Sequence, residues 1–200
     1  MRIGIDIDGV LVNTAEFMHK YGQRFFRKAP VDPKGYNIEE IFDVSGLPVL
    51  LFGIRWFFPY YCRKYPPYPY ADKVYKELNA NGHIIYQITA RKLTLSRSPI
   101  GKLSLKLLKN WLSKNGFRYH KLLLCDEKNV AKEKLRYCRR YRVQIMLEDN
   151  PATALLLAKN GIRVLLYDAP YNRDISGRDI TRVNNWKDIR KFLKTFEKTL

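Results

Sequence analysis

Two aspartates, Asp6 and Asp8, follow an apolar N-terminal stretch and directly precede a glycine. Because residues two apart in a β-strand point to the same face, the two carboxylates are expected to converge where the strand ends. Two neighbouring negative charges are costly unless a cation or a proton accompanies them, and Gly9 lets the backbone fold closely around such an ion. The pattern Asp-x-Asp-Gly therefore predicts a site for metal-assisted phosphoryl transfer.

The Asp-x-Asp motif is short, so it also occurs in proteins of unrelated function. A surface acidic pair at the end of a strand accounts equally for these residues. An EF-hand loop does not, because the third acidic ligand and the glutamate that closes such a loop are missing. A glycosyltransferase would use the pair to hold a metal and a nucleotide diphosphate. The acidic pair alone leaves that alternative open.

Further polar residues follow other apolar stretches. Thr89 and Arg91 offer a hydroxyl and a guanidinium that could bind phosphate oxygens. Glu148 and Asp149 form a second acidic pair, and Asn150, which is expected to cap the next helix, is a further candidate for substrate binding. These side chains are expected at the ends of successive strands, where they could act together.

A lysine is needed to offset the charge of the nucleophile and of the transferred phosphoryl group, and residues 126–141 offer several. If this stretch is helical, Lys134 lies on the inward face, whereas Lys132 points elsewhere. The residues that share that face at helical spacing are Ala131, Leu135 and Cys138. Lys134 is therefore the first candidate, and Lys128 is the second.

Short apolar runs alternate with amphipathic stretches, a pattern typical of a parallel sheet with helices on its faces. The predicted strands are residues 2–7, 83–88, 121–124, 143–147 and 163–167. Predicted helices, each with a start or stop signal or an apolar face, are residues 103–112, 151–159 and 186–198. The predicted fold class is α/β, with a doubly wound, mainly parallel, Rossmann-like sheet.

The segment after the first strand differs in composition from the rest. Residues 14–70 are rich in aromatics and prolines, and a crossover of this length is longer than a parallel strand pair needs. The segment is predicted to form a small helical cap over the carboxyl edge of the sheet, where ligands bind in such folds. Residues 1–13 and 71–200 would then form the α/β core. Most of the rings should pack within the cap, with Trp56 and Tyr60 as candidates for stacking on a substrate.

The chain of 200 residues carries 37 Lys and Arg against 19 Asp and Glu, a net charge of +18 that favours anionic partners. Nucleic-acid motifs are absent, so a small phosphorylated substrate is favoured over a nucleic acid. The sequence lacks an apolar run of about 18 residues and a signal peptide, which predicts that it neither enters a membrane nor is secreted. The odd number of cysteines, without metal-ligand spacing, predicts reduced thiols and a cytoplasmic location. Oligomeric state is left open.

The order Asp-x-Asp-Gly, Thr, Lys, Glu-Asp resembles the haloacid dehalogenase superfamily of phosphohydrolases. Several motifs look more closely like those of the 5′-nucleotidase C-type (deoxyribonucleotidase-like) family. They are Ile-Asp-Ile-Asp-Gly-Val, Thr89-Ala90-Arg91, Leu147-Glu148-Asp149-Asn150-Pro151, Pro170-Tyr171-Asn172-Arg173 and Arg182-Val183-Asn184-Asn185-Trp186. The resemblance covers the predicted sheet domain from end to end.

This resemblance implies roles for four catalytic residues. Asp6 would attack phosphorus and form an aspartyl-phosphate, which splits one difficult displacement into two easier ones. Asp8 would protonate the leaving alcohol and then deprotonate the attacking water. Thr89 and Lys134 would stabilise the phosphoryl oxygens in the transition state.

The resemblance also implies a Mg²⁺ site formed by Asp6, Asp149 and the backbone carbonyl of Asp8, with Glu148 as an assisting or direct ligand. The implied activity is hydrolysis of a phosphomonoester, with a nucleoside monophosphate as the first candidate and a sugar or polyol phosphate as the alternative. Two alternatives of other classes remain: a metal-dependent glycosyltransferase, and a non-catalytic basic protein that binds nucleic acid.

Overall fold

A computed structural model describes residues 1–91 and 93–198. Within these ranges, six strands form one sheet in the order β3-β2-β1-β4-β5-β6, and each neighbouring pair is parallel. The strands are β1 (Arg2–Ile5), β2 (Ile84–Thr89), β3 (Lys121–Leu124), β4 (Ile145–Glu148), β5 (Arg163–Tyr167) and β6 (Ile180–Val183). The strand order reverses at β1 and β4, so these two strands lie side by side at the centre of the sheet.

Helices connect the strands. They are α1 (Thr14–Phe26), α2 (Ile38–Phe42), α3 (Leu47–Phe52), α4 (Cys62–Lys64), α5 (Ala71–Ala80), α6 (Pro99–Lys114), α7 (Val130–Arg140), α8 (Pro151–Lys159) and α9 (Trp186–Glu197). A π-helical segment, Gly53–Tyr61, joins α3 to α4, and a 3₁₀ turn, Pro170–Asn172, follows β5. Side chains of Asn13, Ser98, Asn150 and Asn185 accept hydrogen bonds from the first turns of α1, α6, α8 and α9, which fixes where these helices begin.

The helices cover both faces of the sheet. One apolar cluster contains Val74 of α5, Leu108 of α6 and Leu193 of α9. A second cluster contains Cys138 of α7 and Leu157 of α8. The predicted doubly wound α/β fold is therefore confirmed.

The segment of residues 14–70 contains helices α1 to α4 and the π-helical segment, joined by loops, and it packs on the sheet. Phe17 of α1 and Phe42 of α2 belong to the same buried cluster as Ile3 and Ile5 of β1. Its aromatic rings continue this packing through contacts such as that of Phe17 with Tyr61, whose ring centroids are 4.6 Å apart. The division of the chain into a core and a separate cap stays a prediction.

Two elements, β6 and α5, are not among those predicted. Three of the four side chains in β6 are only half-buried, so this strand lacks the apolar run that identifies the others. Helix α5 begins after Tyr70, which has a left-handed backbone (φ 67°) and provides no side-chain cap. The usual signal for the start of a helix is therefore missing there.

The five predicted strands are present: β3 and β5 have the predicted bounds, whereas β1, β2 and β4 have shifted ends. In particular β1 ends at Ile5, so Asp6 and Asp8 lie just beyond the regular strand. Cys62, Cys125 and Cys138 are free and buried, as expected for reduced thiols. None of the helices in the described ranges has the length and apolar character needed to cross a membrane.

Candidate active site

An acidic cluster lies at the carboxyl edge of the sheet, between its two central strands. The backbone amide of Asp6 donates a hydrogen bond of 3.0 Å to Leu147 of β4, which brings the ends of β1 and β4 together. As a result, carboxylate oxygens of Asp6, Glu148 and Asp149 all lie within 4.8 Å of one another, and all three residues are buried. Residues from distant parts of the sequence thus share one site.

Lys134 supplies positive charge to this cluster. Its Nζ lies 2.5 Å from Asp6 Oδ2 and 2.7 Å from Glu148 Oε2, and the residue is 1% exposed. Burial lowers the pKa of Lys134, but the charges of Asp6 and Glu148 outweigh it and the pKa is raised well above its usual value. Helix α7 therefore places Lys134 inward as predicted, whereas Lys132 and Lys128 are exposed.

The cluster holds more acid than one ammonium can neutralise. Burial, opposed by Lys134, raises the pKa of Asp6 to about 7. Burial and the charge of Glu148 raise the pKa of Asp149 well above its usual value. Since neighbouring carboxylates in a low-dielectric site resist ionisation together, this arrangement calls for a further cation.

Two observations bear on how this cluster could hold a cation. Asp149 Oδ2 accepts a hydrogen bond from Tyr171, whereas Asp149 Oδ1 is buried without a hydrogen-bond partner among the described residues. Gly9, with φ +79°, approaches so closely that a Cβ there would lie 1.9 Å from Asp149 Oδ2. Carboxylate oxygens are the donors that Mg²⁺ prefers, so Asp6, Glu148 and Asp149 form a chemically suitable set.

The side chain of Asp8 faces another group of partners. Arg91 forms a two-pronged contact with it, Nε to Oδ2 at 2.9 Å and Nη2 to Oδ1 at 2.5 Å, and the Tyr61 hydroxyl donates to Oδ1 at 2.5 Å. The Thr14 hydroxyl lies 2.6 Å from the Tyr61 hydroxyl and accepts a hydrogen bond from the amide of Gly9. Burial raises the pKa of Asp8, but Arg91 and Tyr61 outweigh burial and hold the pKa below its usual value. The Asp8 carboxylate thus lies outside the cluster that fits a cation.

Other predicted residues have different surroundings. Thr89 is buried at the end of β2, the strand beside β1. Arg91, expected to bind phosphate, is 5% exposed and occupied by Asp8. Asn150 Oδ1 accepts a hydrogen bond of 3.0 Å from the amide of Thr153, so its acceptor atom is used as a helix cap.

The candidates for stacking on a substrate pack instead against α1. Trp56 and Tyr60 have ring centroids 4.8 and 5.1 Å from that of Tyr21. It is the neighbouring residue, Tyr61, that reaches Asp8. Sequence analysis marks the aromatic cluster but not the ring that faces the site, because a π-helical segment does not follow the 3.6-residue period on which such assignments depend.

Two more tyrosines that sequence analysis did not select lie beside Asp149. Tyr171 donates to its carboxylate, and the ring of Tyr36 packs edge-to-face on Tyr171 at 4.9 Å. Burial and the charge of Asp149 raise the pKa of the Tyr171 phenol well above its usual value, so Tyr171 remains a protonated donor. Tyr36 is exposed. Tyr171 lies in the Pro170-Tyr171-Asn172-Arg173 motif, one of those that carry the family resemblance. That motif is the sequence signal that could have identified it.

This chain is similar to known proteins over nearly its whole length. The model of the family described as "5′ nucleotidase, deoxy (Pyrimidine), cytosolic type C protein" matches residues 1–198. A Bacillus cereus protein named "Putative nucleotidase" is 26% identical over 203 residues, covering 97% of this chain and 98% of the relative. A Bordetella bronchiseptica protein named "Putative 5′(3′)-deoxyribonucleotidase" is 26% identical over 200 residues, covering 94% and 95%.

Solved structures share the fold at lower identity. A "predicted phosphatase" from Clostridium acetobutylicum superposes with a TM-score of 0.67 at 13% identity, covering 97% of this chain and 98% of that chain. The D,D-heptose 1,7-bisphosphate phosphatase from B. bronchiseptica, complexed with magnesium and phosphate, gives a TM-score of 0.58 at 11% identity, covering 98% and 99%. Both neighbours share the fold described above.

Proposed function

Because this chain belongs to the 5′ nucleotidase, deoxy (Pyrimidine), cytosolic type C family, and is therefore a phosphatase of 5′-nucleotidase type, we propose that it hydrolyses nucleoside monophosphates. The proposed reaction uses Mg²⁺ and passes through an aspartyl-phosphate on Asp6. The observation that carries the proposal is the contact of Asp6 with Lys134 beside Glu148 and Asp149. Membership of a phosphatase family favours this activity over the two alternatives of other classes, a glycosyltransferase and a non-catalytic nucleic-acid-binding protein.

Asp6 has the surroundings that a carboxylate nucleophile needs. Its Oδ1 accepts a hydrogen bond of 2.7 Å from the amide of Ile7, and its Oδ2 contacts Lys134, so the side chain is held in one orientation. A carboxylate and a phosphate dianion repel each other, and Lys134 offsets part of that repulsion. As the bond from Asp6 to phosphorus forms, the bond from phosphorus to the leaving oxygen breaks; water then releases inorganic phosphate and restores the carboxylate.

Asp8 is the proposed proton carrier for both steps. It gives a proton to the leaving oxygen in the first step and takes one from the attacking water in the second. Its contacts with Arg91 and Tyr61 stabilise the carboxylate form, which accepts a proton from water in the second step. For the first step, Asp8 would take up a proton from solvent as Arg91 turns to the substrate phosphate and its hold on the Asp8 carboxylate weakens. Arrival of a phosphate dianion offers Arg91 a second anionic partner, which is how this arginine is proposed to contact substrate as well as Asp8.

Asp6, Glu148 and Asp149 would hold the Mg²⁺, together with the main-chain carbonyl of Asp8. When bound, this ion supplies charge neutralisation at the phosphoryl oxygens. Lys134 and the Thr89 hydroxyl are proposed to stabilise the same oxygens as charge shifts between them in the transition state.

The leaving group is proposed to be a nucleoside. The family description names deoxynucleotide chemistry, and one relative carries the name deoxyribonucleotidase. In this chain the Tyr61 hydroxyl contacts Asp8, and the Tyr61 ring stacks on that of Phe57 at 5.0 Å with an interplanar angle of 20°. Because Asp8 must reach the leaving oxygen, the half-buried ring of Phe57 is proposed to contact a nucleobase or sugar attached to that oxygen.

Two measurements test the proposal. A panel of phosphomonoesters assayed with Mg²⁺ should give the highest kcat/KM for nucleoside monophosphates; a preference for sugar or polyol phosphates would reject the proposed leaving group. In rapid acid-quench experiments with ³²P-labelled substrate, the unsubstituted protein should retain protein-bound label that Asp6→Asn lacks.

Asp43→Asn is the matched control, because Asp43 is exposed at the end of α2 and asparagine tolerates its left-handed backbone (φ 47°). It should label and turn over like the unsubstituted protein. Appreciable Mg²⁺-dependent turnover by folded Asp6→Asn would reject Asp6 as the nucleophile.

A further inference from the structure

The side chain of Arg182, in β6, forms hydrogen bonds to several residues of the loop that follows β5. Its Nη1 donates to Asp168 Oδ1 at 3.0 Å and to Asn172 Oδ1 at 2.7 Å. Its Nη2 lies 2.9 Å from the carbonyl of Asn172, 3.3 Å from that of Arg173 and 3.0 Å from that of Ile175. A planar guanidinium with several fixed donors suits such a set of acceptors. Arg182 therefore holds the loop at several points at once.

The residue at the centre of this loop reaches the acidic cluster. Asn172 is 1% exposed, and its Nδ2 donates to the main-chain carbonyl of Asp149 at 2.7 Å and to that of Tyr167 at 2.8 Å. Its Oδ1 accepts from Arg182 and from the amide of Ala169. The Asn172 amide group thus links Arg182 to the backbone of Asp149.

The neighbouring tyrosine holds the side chain of the same aspartate. The Tyr171 hydroxyl donates to Asp149 Oδ2, whereas Asp149 Oδ1 is buried without a hydrogen-bond partner in the part of the chain that the structure describes. One carboxylate oxygen is therefore fixed by the loop and the other is left for a ligand. Partners of this kind orient a ligating carboxylate, and their loss weakens metal binding.

We propose that Arg182 is a positioning residue for the divalent cation: through Asn172 and Tyr171 it fixes Asp149 with Oδ1 directed to the ion. The inference rests on the proposed function only in that Asp149 is a ligand of the cation. Arg182 itself carries no ligand role, because its side chain is used by Asp168 and the loop carbonyls.

Isothermal titration calorimetry with MgCl₂ alone tests the inference without turnover. Arg182→Gln should bind Mg²⁺ about 10- to 100-fold more weakly than the unsubstituted protein. Arg173→Gln is the matched control, because Arg173 also contacts Asp168, at 3.1 Å, but is exposed and, among the residues that the structure describes, its side chain donates to Asp168 only. Its Mg²⁺ affinity should be unchanged. Equal affinities of Arg182→Gln and the unsubstituted protein would overturn the inference.

Tyr171→Phe provides a second variant should Arg182→Gln fail to fold. It keeps the ring and removes only the hydroxyl that contacts Asp149, so it should also bind Mg²⁺ about 10- to 100-fold more weakly, and unchanged affinity would overturn the inference. Thermal unfolding in EDTA distinguishes a positioning role from a merely structural one. A merely structural role would lower Tm and leave the Mg²⁺ affinity of the folded protein unaltered. If the affinity pattern appears but no nucleoside monophosphate is hydrolysed, the positioning role is supported and the proposed substrate is rejected.

Discussion

Lys134 donates a hydrogen bond of 2.5 Å to Asp6 although the two residues are only 1% and 5% exposed. The same ammonium contacts Glu148 at 2.7 Å, so it bridges side chains at the carboxyl ends of the two central strands. Charges removed from water to this degree are tolerated only when paired. Lys134 is therefore tied to the stability of the fold as well as to the proposed chemistry.

Replacement of Lys134 by methionine should destabilise the protein. It leaves the buried carboxylates of Asp6 and Glu148 without their ammonium, and breaking a buried pair from one side typically costs about 3–5 kcal/mol. Lys132→Met, on the exposed side of the same helix, should change the free energy of unfolding by less than about 0.5 kcal/mol. Urea denaturation in EDTA measures both values, and equal stabilities would show that Lys134 does not compensate the cluster.

Gly9→Ala should disrupt the cation site specifically. Alanine at φ +79° carries a left-handed strain of about 1–2 kcal/mol, and its Cβ would also lie 1.9 Å from Asp149 Oδ2, so the carboxylate must move. Gly82→Ala has almost the same backbone (φ +74°) and no atom within 4 Å of the added Cβ. Both variants should lose similar stability from strain, but only Gly9→Ala should lose Mg²⁺ affinity in calorimetry. Loss of Mg²⁺ affinity in both variants would mean that backbone strain, rather than displacement of the Asp149 carboxylate, weakens cation binding.

The sequence was sufficient to predict five of the six strands in the described ranges and the inward lysine, because these follow from hydrophobic periodicity. Alternating apolar runs mark the buried strands, and helical spacing around Cys138 places Lys134 on the inner face of α7. The meeting of Asp6 with Asp149 likewise follows from the rule that parallel strands end at one edge of a sheet. These features depend on local patterns and general topology.

The partners of Asp8 could not be predicted in the same way. Tyr61 reaches it from the π-helical segment, whose turns do not repeat with the period of an α-helix. Arg91 carries the charge expected of a phosphate ligand, and nothing in its spacing indicates that it forms an ion pair with Asp8, 83 positions away. Contacts that depend on how a long insertion packs on the sheet are decided by tertiary structure.

Tyr61→Phe should impair catalysis while Tyr60→Phe should not. The Tyr61 hydroxyl donates to Asp8 at 2.5 Å and contacts Thr14, and a hydrogen bond to a charged group is worth about 1.5–3 kcal/mol. If that bond orients Asp8 in the transition state, kcat/KM should fall about tenfold to hundredfold. Tyr60 packs against Tyr21 in α1, so removal of its hydroxyl should change kcat/KM by less than about twofold. A larger loss of kcat/KM in Tyr60→Phe than in Tyr61→Phe would contradict the role of Tyr61 in orienting Asp8.

The stability of the metal-free protein should fall between weakly acidic and neutral pH, and Mg²⁺ should reverse that loss. Burial raises the pKa of Asp6 from 3.8 to about 7, and burial with the charge of Glu148 raises that of Asp149 in the same direction. A folded state that holds a proton more tightly than the unfolded chain is most stable at low pH, and this part of the stability is lost as the pH rises through the folded pKa. Bound Mg²⁺ takes the place of the proton as the compensating charge.

Thermal unfolding in EDTA should therefore give a lower Tm at about pH 7.5 than at about pH 5, and MgCl₂ should raise Tm more at the higher pH than NaCl of equal ionic strength does. A Mg²⁺ shift of equal size at both pH values would mean that the proton and the cation do not compete for these carboxylates.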